Sequence, residues 1–192
     1  RSEDGGAHFV SVADDMPSQA VKVIRFAPSD PDVVYAGTGE PHSKTSIFGM
    51  GVYRSEDGGR TWDALPPSGA GWDFRFLAVS GLQVDPEDPE TLYVSTANVL
   101  PDRVDPFHPP PSAGPPGIYK SEDGGMTWSL KVLAQDYRAY DYAAYDPYLA
   151  SGYGFVDLEL WRANPEVLFA VERSGGIYRS LDAGETWQLV TP

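Results

Sequence analysis

Apolar and polar residues alternate along the stretch VKVIRFAPSDPDVVYAGTG, Val21 to Gly39, with a proline-bearing break, PSDPD, at its middle. The same alternation and break return in GLQVDPEDPETLYVST, Gly81 to Thr96, and in VDLELWRANPEVLFAVE, Val156 to Glu172. A period of two predicts strands with one buried face, and the proline breaks predict tight turns between them. Each pair of strands is followed by a glycine-aromatic run, GVYRS, GIYKS or GIYRS, then by a polar turn, and then by a fourth strand expected to open with Thr-Trp. Four consecutive strands joined by hairpins make one antiparallel sheet. Radial packing of such sheets gives a β-propeller. No segment carries the 3.6-residue period of a helix, so the expectation is an all-β chain.

The polar turn recurs at roughly 60-residue intervals, which marks a repeat architecture. It reads RSEDGGRTW at Arg54–Trp62, KSEDGGMTW at Lys120–Trp128 and RSLDAGETW at Arg179–Trp187, with a worn copy, RSEDGGAHF, at Arg1–Phe9. The short side chains of Ser55, Asp57, Ser121, Asp123, Ser180 and Asp182 suit bonding to nearby backbone N–H groups. Gly59, Gly125 and Gly184 supply a left-handed backbone, and Trp62, Trp128 and Trp187 supply apolar faces for packing between sheets. An acid repeated in every unit reads as a structural part, because a catalytic residue does not recur once per repeat.

These residues match S-x-D-x-G-x-T-W, and the chain resembles the Asp-box or BNR-repeat propellers. That group includes sialidases, xyloglucan-active endoglucanases, the luminal domain of sortilin-type receptors and photosystem II assembly factors. VVYAGTGE with GVYRSEDGGRTW is most similar to the bacterial sortilin-like and endoglucanase-like branch. The resemblance implies an extracytoplasmic setting: secreted, periplasmic or luminal. It spans the whole of 1–192 as one propeller segment. Residues 1–12 are expected to be the remnant of a preceding blade, with Ala7–Val12 as its last strand, and blades are expected at 21–65, 81–132 and 155–190. About three blades cannot close a ring of the usual ~4 to 8, so the segment is read as a partial propeller. Further blades of the same chain, or self-association, would complete it. A start at Arg1 inside a motif, without Met, fits a piece of a larger protein.

Composition narrows the function. Gly (20) and Pro (18) fit a turn-rich β chain, and no apolar run reaches the ~18–20 residues of a membrane-spanning helix. A net charge of −14, with 14 Lys and Arg spread along the chain, argues against nucleic acid and against anionic membrane surfaces. With no cysteine there is no thiol nucleophile, thiolate metal site or disulfide. His8, His42 and His108 are too scattered for a metal triad, so neither metal nor cofactor is expected.

Long connections gather at the end of the blades opposite the Asp-box turns, where binding surfaces usually form. They are Glu40–Met50, Pro66–Phe76, Asn98–Pro116 and the tyrosine-rich Ala134–Gly154. In the last, Tyr137, Tyr140, Tyr142 and Tyr145 alternate with acids, and Trp72, Asp73 and Arg75 form a smaller cluster of the same kind. Aromatic faces and carboxylates suit a neutral glycan, and tyrosine equally anchors protein interfaces. A loop tied down by its own tyrosines is the plainer alternative. Glycoside hydrolysis needs two carboxylates roughly 5–10 Å apart. Asp105, Asp141 and Asp157 are the candidates, without a distinguishing motif. The three-arginine and Tyr–Glu pattern of sialidases is not recognisable. The expected function is a non-catalytic binding module for a protein or glycan. The alternative is a fragment of an endoglucanase-like or sialidase-like glycoside hydrolase.

Overall fold

The computed structural model of this chain describes residues 1–41, 47, 49–66, 74–75, 77–98, 114–134, 154–173 and 175–191. Among the described residues there are twelve strands and no helix. The first sheet comprises β1 (Val21–Ala27), β2 (Asp30–Thr38), β3 (Val52–Ser55) and β4 (Asp63–Ala64). The second comprises β5 (Leu77–Val84), β6 (Leu92–Asn98), β7 (Gly117–Ser121) and β8 (Ser129–Leu133). The third comprises β9 (Phe155–Leu160), β10 (Leu168–Glu172), β11 (Gly176–Ser180) and β12 (Gln188–Leu189). In each sheet consecutive strands pair antiparallel, as hairpin connections require.

The sheets stack through their first strands, with β1 against β5 and β5 against β9. This is the arc of a propeller, and burial follows position in it. Every residue of β5 is buried, because it lies between two neighbours, while β1 and β9 alternate between buried and exposed. The polar residues of β5 are satisfied across the gap to the third sheet. Ser80 Oγ donates to Phe155 O at 2.6 Å and Gln83 Nε2 to Leu158 O at 2.7 Å. A Cβ on Gly81 would come within 2.9 Å of Ser95 and Leu158, so this close approach of two backbones admits only glycine.

One apolar core lies between the first two blades and includes Val23, Tyr35, Phe74, Leu82, Tyr119 and Trp128. The second lies between the last two and includes Tyr93, Ile118, Phe155, Leu158, Leu168 and Tyr178. A small third cluster joins Met16 to Ala36 and Tyr53, with Trp62 packed against it. The motif tryptophans thus face the preceding neighbour in every case. For Trp62 that neighbour is the segment around Ala13–Met16.

The repeated turn is built as its residue types dictate. Ser121 Oγ accepts from Gly125 N at 2.8 Å and donates to Asp123 Oδ1 at 2.8 Å. Asp123 then accepts from Thr127 N at 2.8 Å and from Thr127 Oγ1 at 2.6 Å. The same bonds recur at Ser55–Asp57–Thr61 and at Ser180–Asp182–Thr186. In the worn copy His8 stands in for threonine, with its backbone N–H on Asp4 Oδ1 at 3.0 Å and its ring on Asp4 Oδ2. Threonine and tryptophan therefore belong to the turn, and the fourth strand begins one residue after tryptophan, which corrects the expected start. Ala7–Val12 forms no strand either. Arg1 and Val10 exchange both backbone bonds, at 2.7 and 2.9 Å, but this hairpin has no second strand beside it among the described residues.

In the first two blades a cation at the head of the motif ties the blade to the next. Arg54, over the Tyr35 ring, reaches Glu90 of the second blade with both terminal nitrogens, at 3.2 and 2.8 Å. Lys120, over the Tyr93 ring, reaches Glu185 of the third at 2.7 Å. Tyr35 and Tyr93 donate to Pro89 O and Ala183 O of the following blade, each at 3.1 Å. Arg1 instead pairs with Glu3 of its own motif, and Glu3 accepts from Arg60 Nη2 of the first blade at 3.2 Å, which ties the N-terminal hairpin to that blade.

Candidate functional site

The motif turns are bonded to the β1–β2 type turns of their own blades. Gly58 N donates to Asp32 O, Gly124 N to Glu90 O and Ala183 N to Glu166 O, at 2.8–2.9 Å. Both sets of turns thus share one end of the blades, and the long connections leave from the other. At the turn end the carboxylates are committed to the backbone. Hydrogen bonds from Thr186, then Ser180, hold the Asp182 carboxyl down to about 2, and those from Thr61 and Ser55 lower Asp57 further. Burial works against the charge of Asp123, but the Thr127 and Ser121 bonds outweigh it and lower this group too. A carboxylate so held is a poor proton donor or acceptor near neutral pH.

The other end carries a small apolar cleft of about 160 Å³ between the outer strands of the first and second blades. Met50 and Gly51 enter it from the β2–β3 connection, and Leu65 and Pro66 from the end of β4. Its back is aromatic. Phe74 sits edge-on to Tyr119 at 4.8 Å and to Trp128 at 5.4 Å, and all three are buried. Arg75, exposed, forms an isolated bridge with Met50 and supplies a cation at the rim. The cleft exists because the chain must cross from β4 to the inner strand β5. Phe74 is buried on that crossing and packs edge-on against the Trp128 ring within the core between the two blades.

Of the residues singled out from sequence, Arg75 and the motif tryptophan Trp128 line this cleft, and the serines, aspartates and glycines of the motif turns lie at the opposite end. Trp72, Tyr137, Tyr140, Tyr142, Tyr145, Asp105 and Asp141 fall outside the described residues. Asp157 is described, and it lies on the strand that the alternation VDLEL predicts. It occupies the middle of β9, exposed, opposite Val171, and its Oδ1 accepts from Leu158 N at 2.9 Å. The alternation VDLEL explains this, because an acid between buried apolar positions of a strand points away from the core.

A tyrosine–glutamate pair is present in the third blade, where Tyr178 OH donates to Glu172 Oε2 at 2.9 Å. Both residues are buried in the same blade beside Phe155, so the pair is a packing contact of the core. Among the described residues no group of three or more His, Cys, Asp or Glu could hold a metal ion. The sequence reading passed over Phe74 and Met50. Their only signal was a hydrophobic residue near the end of a polar connection, next to the start of a strand.

In fold, the chain is similar to an ancestral GH74 enzyme (TM-score 0.55, 15% identity, 90% of this chain and 18% of that one). It is similar to the GH74 xyloglucanase from Xanthomonas campestris (TM-score 0.54, 20% identity, 94% and 25%). It is also similar to YCF48 from Cyanidioschyzon merolae (TM-score 0.54, 17% identity, 91% and 41%). The chain therefore spans between a fifth and two fifths of the length of these proteins. At such identities the likeness establishes the propeller fold. No family model and no curated protein matches the chain.

Proposed function

We propose that the chain is a segment of an Asp-box propeller that binds a protein partner, without chemistry of its own, at the end bearing the long connections. The observation that carries this reading is the cleft beside Phe74 and Trp128. At about 160 Å³ it is below the ~300 Å³ of ordinary small-ligand pockets. It has room for one apolar side chain of a partner, with the Arg75 cation at its lip. Buried aromatic walls around a single anchor are what a protein interface uses for most of its affinity. The turns at the other end serve as Asp-box structural closures in this reading. The assignment to the sortilin-like branch and an extracytoplasmic location rest on the motif sequences alone.

A neutral glycan is the second ligand class, favoured by the tyrosine- and aspartate-rich sequence at 134–154. Part of a glycoside hydrolase is the runner-up function, with Asp105, Asp141 and Asp157 as its candidate acids. A peptide library displayed on phage and selected on the 192-residue chain tests the main reading, with Trp128 fluorescence as the titration signal. Selected peptides should bind the wild type and lose at least tenfold in affinity on Met50→Glu, which puts an unpaired charge into the cleft. Peptides that bind the variant equally would overturn the cleft as the site. Turnover of any member of an oligosaccharide panel, abolished by Asp157→Asn in a folded protein, would replace binding by hydrolysis.

A further inference from the structure

The cleft beside Phe74 has a sign. Among the described residues that line it, Arg75 is the only charged one, and no carboxylate is among them. This is notable in a chain whose net charge is −14. The acids of the neighbouring motif turns are engaged at home. Asp57 and Asp123 accept from the serine and threonine of their own turns, at 2.6–2.8 Å. The cleft also lies between two consecutive blades of this chain, so a further blade of a ring would join beyond them and not enter it.

The position of Arg75 is set by its backbone. It forms an antiparallel bridge with Met50, whose own N–H donates to Thr38 Oγ1 at 2.8 Å, and it follows Phe74, whose ring is buried against Tyr119 and Trp128. The guanidinium therefore starts from a fixed point at the rim, beside apolar walls. Such walls lower the local dielectric, so an ion pair formed there is stronger than the same pair on open surface. A guanidinium offers five N–H donors in a planar fork, of which a carboxylate takes two at once. Arg75 can thus receive a carboxylate beside the contacts it already makes. The acidic balance of the chain opposes an acidic partner at long range, but salt confines that repulsion to ~8 Å under physiological conditions. Contact at the cleft then decides.

From this geometry we infer that the partner protein docks through an acidic segment, in which one apolar side chain fills the cleft and an Asp or Glu within two positions of it pairs with Arg75. The inference rests on the cleft being the binding site, and it adds the chemistry that selects the occupant. Two positions is the reach because alternate residues of an extended segment share a face roughly 6–7 Å apart. A volume of about 160 Å³ admits one anchor side chain, so the neighbouring residues stay at the rim, where Arg75 stands. The apolar anchor supplies most of the affinity, and the charge pair discriminates among segments that carry such an anchor.

Peptides selected by phage display on the 192-residue chain should carry an apolar residue with Asp or Glu one or two positions away. Arg75→Glu should weaken such a peptide by about 100-fold and Arg75→Gln by about tenfold. Both variants should stay folded, because Arg75 is exposed and its bridge to Met50 runs through backbone atoms. Changing the acid of the peptide to lysine should restore its binding to Arg75→Glu to within about fivefold of the original pair. Selected peptides without an acid near the anchor overturn the acidic partner. So does equal binding to the wild type and to Arg75→Glu, even where sensitivity to Met50→Glu keeps the cleft as the site. Indifference to Met50→Glu overturns the cleft and this inference with it. Should Arg75→Glu lower the unfolding midpoint, a double-mutant cycle of Arg75→Gln with the amide form of the peptide's acid decides. Losses that do not add support the pair, and additive losses overturn it.

Discussion

Replacing Ser121 by alanine removes one hydroxyl and tests whether the repeated turn stabilises the fold through a buried hydrogen bond. Ser121 is 2% exposed and its Oγ is the acceptor for Gly125 N–H at 2.8 Å, with Gly125 itself buried. Without the hydroxyl that N–H is left in the interior unpaired, at a cost of about 1–3 kcal/mol. The second bond lost, to Asp123 Oδ1, matters less because the exposed carboxylate takes a water instead. An expected loss of about 2 kcal/mol corresponds to a fall of about 1 M in the urea midpoint at a slope of about 2 kcal/mol/M. The worn copy provides the control. Ser2 makes the same bond to Gly6 N, at 2.9 Å, but Gly6 is exposed, so water can replace the hydroxyl. Ser2→Ala should therefore cost less than about 0.5 kcal/mol. Equal losses at the two positions would refute the reasoning, because burial would then not decide the outcome. No loss at Ser121 would refute it as well.

Two further outcomes follow from the same turns. The carboxyls of Asp4 and Asp182 are held down to about 2 and those of Asp57 and Asp123 are also lowered, against 3.8 for an ordinary aspartate. A lowered folded-state pKa contributes stability that is complete above the unfolded value and lost as pH falls through the folded one. The urea midpoint should therefore be unaffected by these groups between pH 7 and 5 and drop from about pH 4 towards 2, less steeply in Asp182→Asn; a drop that begins near pH 6 would point to other groups. Ala183 occupies the left-handed position, at φ 52°, that Gly58 and Gly124 fill in the other turns, at 68° and 67°. Ala183→Gly should raise stability by about 0.5–1 kcal/mol and Gly124→Ala lower it by at least as much, read as opposite shifts in melting temperature; shifts of one sign would contradict the backbone argument.

The fold was legible in the sequence because each of its determinants is local. Alternation in VKVIRFA and VDLEL marks strands whose faces differ, and the spacing of Ser, Asp, Gly and Thr closes a turn with bonds no more than four residues apart. Asp157 is legible in the same way, since its place in VDLEL, between the buried Phe155 and Leu158, makes it an outward strand residue. The cleft was not legible, since Phe74 acquires its role only by meeting Tyr119 and Trp128, some 50 residues later in a different blade. The tyrosine-rich stretch that drew most attention lies outside the described residues, so it remains a compositional argument.

What the sequence carried without announcing it is the basic residue at the head of each motif. Arg54 and Lys120 look like part of a local turn, yet their partners lie in the next blade, 36 residues on for Arg54 and 65 for Lys120. Burial works against the charge of Lys120, but its bonds to Glu185 and Glu122 raise its pKa all the same. A cation half-sunk between blades is tolerated only where a carboxylate arrives from outside its own sheet, since an unpaired one there costs several kcal/mol. The repeat therefore encodes its own docking, with an aromatic ring and a cation on one face and an acid on the facing turn.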